Sequence, residues 1–87
     1  LKNLRNEPHI SNIIRFYTIT YQNEVYPLSQ GITILNHYSF DNRNNLDYVR
    51  MYFLATIAIN EAQKNEPQIA SMVARYLPKP GLGTIPP

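Results

Sequence analysis

The sequence predicts an α+β fold: a small three-stranded antiparallel meander, then a long helix, a proline break and a short helix, ending in an extended Pro-rich C-terminal arm. Three observations carry this expectation. Residues 13–21 are β-branched or aromatic at every position except Arg15, residues 46–66 contain neither glycine nor proline, and the last ten residues hold four prolines and two glycines. Side chains of the first kind fit a pleated surface, an unbroken stretch of the second length suits a helix, and the third composition builds no packed element. With 87 residues in all, the division is a single domain over 1–77 and the arm over 78–87. A chain of this size buries only about 60–65% of the surface it exposes when unfolded, so its core is marginal and a two-lobed enzyme is excluded.

The elements follow in order. Pro8 to Asn12 reads as a short helical turn with proline at its first position. The same Asn-Glu-Pro-x-Ile run recurs at 65–69, two helix starts rather than a repeat array. The first strand, Ile13 to Tyr21, sets Ile13, Arg15, Tyr17, Ile19 and Tyr21 on one face and Ile14, Phe16, Thr18 and Thr20 on the other. Gln22-Asn23-Glu24 is a polar break. Val25-Tyr26 resumes as a second short strand, which Pro27 confines to an edge because proline has no ladder donor. Ser29-Gln30-Gly31 reads as a turn, and the alternation from Ile32 to Phe40 as the third strand.

The polar run Asp41 to Asn45 then opens a helix, with Asn44 and Asp47 spaced as a capping box and Asp47 suited to the positive end of the helix dipole. This helix spans Leu46 to Glu66. Pro67 breaks it and starts the next, on which Ile69, Val73, Tyr76 and Leu77 form an amphipathic stripe until Pro78 stops it. The order of helical turn, three strands and helix resembles in outline the double-stranded RNA-binding domain. The lysine-rich helix start and the glycine loop of that family are absent here, so its function is not carried over.

Composition removes several chemistries. There is no cysteine, which excludes disulfides, thiolate metal sites and a cysteine nucleophile. His9 and His37 lie far apart, and Ser11, Ser29, Ser39 and Ser71 sit in no Gly-x-Ser-x-Gly elbow. Gly31 is the single glycine before the arm, too few for a phosphate-cradling loop. Neither a metal nor a cofactor is expected, and a catalytic residue is not assigned. The trio His37, Asp41 and Glu61 would give acid–base chemistry only if the third strand ended beside the long helix. The longest apolar run, Met51 to Ile59, is well short of the ~20 residues a membrane span needs. The expectation is therefore a soluble chain without membrane association, the cytoplasm being favoured among compartments the sequence otherwise leaves open.

What remains is binding. Seven tyrosines and no tryptophan supply rigid amphipathic side chains of the kind that populate both core margins and protein interfaces. On the long helix, apolar residues from Tyr48 to Ile59 spread around the whole circumference, more than a small sheet and one short helix can cover. This predicts a non-enzymatic interaction module: a homo-oligomer, a two-fold dimer first, or a protein hetero-partner. The surface would comprise Tyr48, Met51, Tyr52, Leu54, Ala55, Ile59, Ile69, Val73, Tyr76 and Leu77, with sheet aromatics or the arm, anchored by Leu82 and Ile85, presented to a partner. The alternative is a nucleic-acid surface of Arg15, Tyr17, Tyr21, Tyr38, Arg43 and Arg50, in which bases stack on strand tyrosines. Its electrostatic support is thin, because the net charge is +2 and the eight cations are scattered. A small enzyme or a small-molecule-binding oligomer comes third.

Overall fold

The computed structural model describes residues 17–79, which form two strands, three α-helices and one 3-10 turn. Strands β1 (Thr18–Tyr21) and β2 (Glu24–Pro27) pair antiparallel with Tyr21 opposite Glu24 and Thr18 opposite Pro27. Gln22 and Asn23 close the hairpin with φ of 53° and 65°, both left-handed. That is the geometry a two-residue turn needs to follow the strands' twist, and it tolerates asparagine better than glutamine. The expected helical turn at 8–12, strand residues 13–16 and arm residues 80–87 lie outside the described residues.

The three-stranded meander is not what forms. The sheet has two strands, and Leu28–His37, expected as a turn and a third strand, is helix α1. The likeness in outline to the double-stranded RNA-binding domain goes with that strand. The physical reason is a competing period in the same residues. Leu28, Gly31, Ile32 and Leu35 fall at i, i+3, i+4 and i+7, and all four are buried. Residues unfavourable to a helix are accommodated by bonding back to it: Thr33 Oγ1 donates to the Ser29 carbonyl at 3.0 Å and Asn36 Nδ2 to the Ile32 carbonyl at 2.9 Å. Gly31 fits because β1 lies close, since a Cβ built there would stand 2.4 Å from Ile19 Cδ1. Pro27 ends β2 on a non-hydrogen-bonded pair and leads directly into α1 in an extended conformation.

A 3-10 turn, Phe40–Asn42, leads to α2 (Leu46–Asn65), where the helix begins one residue later than a cap at Asn44 would place it. Asn45 is the cap, its side chain accepting from the Asp47 N–H at 2.8 Å. Glu66, at φ −141° and ψ 71°, breaks the helix ahead of Pro67, which opens α3 (Pro67–Ala74). The long helix and the proline break thus stand where the sequence put them, whereas the short helix ends at Ala74 instead of running to Pro78, so that Tyr76 and Leu77 of the expected stripe lie beyond it. Ala58 and Ala62 of α2 and Ala70 of α3 are buried, small enough to let the two helices pack closely.

One core results, built from Ile19, α1, the inner side of α2 and α3. After α3 the chain turns back over it. The Tyr76 carbonyl accepts from Asn36 Nδ2 at 3.0 Å, Pro78 is buried, and the Lys79 carbonyl accepts from Tyr48 Oη at 3.0 Å and Arg43 Nη1 at 3.3 Å. Pro78 and Lys79, the first residues of the expected arm, are therefore packed against the body. Among the described residues no helix is long and apolar enough to cross a membrane.

Candidate interaction surface

Helix α2 positions the surface because its two long sides differ. Tyr48, Met51, Ala55, Ala58, Ile59 and Ala62 are buried and recur at helical spacing, so they define the inner side. Opposite them, within an arc of about 80° at 3.6 residues per turn, lie Leu46, Arg50, Phe53, Ile57, Glu61 and Lys64, all exposed. Leu46 is 58% exposed, Phe53 45% and Ile57 63%. Phe40 and Val25 are the other large apolar side chains left open among the described residues.

A run of aromatic contacts links the two sides. Tyr38 meets Tyr48 edge-on at 5.3 Å between ring centroids, Tyr48 stacks on Tyr52 at 6.0 Å, and Tyr52 meets the Phe53 ring edge-on at 6.3 Å. These separations lie within the attractive range for aromatic pairs. The run begins in the core, where burial pushes the Tyr48 phenol above its ordinary pKa, and emerges at Phe53.

The residues expected to meet a partner divide accordingly. Tyr48, Met51, Ala55, Ile59 and Val73 are buried within this chain's own core, while Tyr52, Leu54, Ile69, Tyr76 and Leu77 are half-buried against it. Leu46, Phe53 and Ile57, which the sequence reading did not single out, are the open ones. A signal for them existed. Arg50, Asn60, Glu61 and Lys64 share their side of the helix, and the side that carries the charges is the side facing out.

The tyrosines of the nucleic-acid reading have other engagements. Tyr17, Ile19 and Tyr21 share one face of the strand, Ile19 buried and the two tyrosines half-buried against the core. Tyr17 Oη donates to Glu66 Oε1 at the end of α2, and Tyr21 Oη donates to Asp47 Oδ1 in its first turn. The short strand thus clasps the long helix at both ends. Each bond holds the phenol proton, and both pKa values are raised chiefly by the carboxylate each tyrosine binds. Tyr26 is raised in the same way by Glu24, to which it donates at 2.7 Å. Tyr38 follows α1 rather than lying on a sheet, and its ring edges onto Tyr48. Arg43 sits 5.7 Å over the Phe40 ring while bonding the Lys79 carbonyl, Arg50 stands beside the Tyr21 hydroxyl, and Arg15 is outside the described residues.

His37, Asp41 and Glu61 are all exposed, and no hydrogen bond or ion pair joins any two of them among the described residues. Glu61 instead faces Lys64 at 3.7 Å. Among the described residues no group of three or more His, Asp or Glu side chains is placed to hold a metal ion. No known family model matches the chain, and neither curated proteins nor solved structures give a match.

Proposed function

We propose that the chain is a non-enzymatic interaction module that self-associates through the outer side of α2. The observation that carries this reading is the row Leu46, Phe53 and Ile57, open to solvent along one side of a helix whose opposite side is already buried. Phe53 and Ile57 are neighbours one turn apart, with Leu46 beyond Arg50 on the same side, and apolar surface grouped in this way favours removal from water by about 25 cal/mol per Å² buried. The aromatic run from Tyr48 to Phe53 supports the same reading, since it backs the row with fixed rings that lose little conformational freedom on contact.

Light scattering coupled to size exclusion tests it. The wild-type chain is expected to run as more than one copy at high concentration. Ile57→Asp is expected to return it to a single copy with a thermal midpoint within the range of ordinary surface substitutions, about ±0.5 kcal/mol in stability. A wild-type chain that stays single at every concentration would remove the proposal.

A further inference from the structure

The outer side of α2 also carries charge, and its order along the helix has a direction. From start to end it reads Leu46, Arg50, Phe53, Ile57, Glu61, Lys64: apolar, positive, apolar, apolar, negative, positive. Laid against itself in reverse, this row is self-complementary. Phe53 meets Ile57 of a second copy, Arg50 meets Glu61, and Leu46 meets the aliphatic stem of Lys64, each contact occurring twice about the axis as a two-fold interface requires. Laid parallel and in register, the same row sets Arg50, Glu61 and Lys64 each against its own like charge. Glu61 has capacity for a second cation, because its pair with Lys64 is long, at 3.7 Å, between side chains 62% and 73% exposed.

From this charge order, and resting on the reading above that the outer side of α2 is the associating surface, we propose that the partner is a second copy of the chain. The two α2 helices run antiparallel, with Arg50 of each chain paired to Glu61 of the other. The charges fix direction, and the apolar row provides the attraction. Within one chain the two groups stand three turns apart, roughly 16 Å along the axis, beyond the distance at which exposed charges couple at physiological salt.

Charge reversal separates this arrangement from self-association in general. Arg50→Glu alone and Glu61→Arg alone are each expected to weaken association roughly tenfold or more, because each swap turns two attractions into two repulsions. The variant carrying both swaps is expected to associate like wild type, and so is an equimolar mixture of the two single variants. Sedimentation equilibrium reads the association, and circular dichroism checks that each variant is folded. Should a single reversal perturb folding, Arg50→Gln and Glu61→Gln serve in its place, with a smaller loss expected from each. Unchanged association in the single variants, or no recovery in the double variant and the mixture, would overturn the antiparallel arrangement. If Ile57→Asp still dissociates the chain in that case, the outer side remains the surface and only the pairing falls; if it does not, both fall.

Discussion

The inner and outer sides of α2 invert the usual relation between size and burial. Three of its six buried residues are alanines, while a phenylalanine, an isoleucine and a leucine stand in solvent. On the inner side, closeness matters alongside bulk: small residues let α1, α3 and β1 approach, and Tyr48, Met51 and Ile59 supply the volume there. On the outer side bulk remains with nothing in this chain to meet it. The size of the apolar side chains is therefore a poor guide to which side of this helix holds the fold together, and the placing of its charges a better one. Substitutions on one side should change folding and those on the other should change association.

The sharpest way to break that contrast is Tyr48→Ala. It removes a ring 1% exposed, its contacts with Tyr38 and Tyr52, and the bond that holds the Lys79 carbonyl. The expected loss is about 3–5 kcal/mol, comparable to the whole stability of many domains this small. Urea titration measures it, and a loss below about 1 kcal/mol would mean that the inner side is not the core.

A smaller effect sharpens the claim that closeness matters on the inner side. Gly31→Ala puts a methyl group against Ile19 Cδ1. The expected net cost is about 1 kcal/mol, overpacking set against the better helix propensity of alanine. Ile19→Val removes the clashing atom, so the two substitutions together should cost less than their sum by at least about 0.5 kcal/mol. Strict additivity in a double-mutant cycle would show that the two groups do not touch.

The smallest effect concerns the two ends of the helix. The folded chain raises the pKa of Tyr17 and Tyr21 above the ordinary 10.0, each by its bond to a carboxylate. A group raised on folding contributes its stability below its unfolded pKa and loses it as pH climbs through the folded value. The midpoint of thermal unfolding should therefore decline from about pH 10 upward, and more gently in a variant with Tyr17→Phe and Tyr21→Phe. An equal decline in that variant would take the clasp out of the account.

Much of the helical half was legible because its signals are local. An unbroken run from Leu46, an asparagine just before it and a proline at position 67 act through neighbouring backbone, whatever lies around them. The two hairpin strands were legible for the same reason. Helix α1 was not, because Ile32, Thr33 and Ile34 favour a strand locally while Leu28, Gly31, Ile32 and Leu35 favour a helix once the hairpin and α2 are there to cover them. Two periods coexisted in one stretch, and tertiary burial chose between them. The candidate surface was half legible in the same sense. Excess apolar residues on α2 were evident from its composition, and the charges of Arg50, Glu61 and Lys64 mark which side faces out, but how far Phe53 and Ile57 stay open on that side depends on where α1 and α3 come to rest.

Lys79 carries a practical consequence. With two donors fixing its carbonyl, Lys79 is a surveyed point beside the start of α2. A fluorophore or affinity handle tethered to its exposed side chain would report distances from a known anchor.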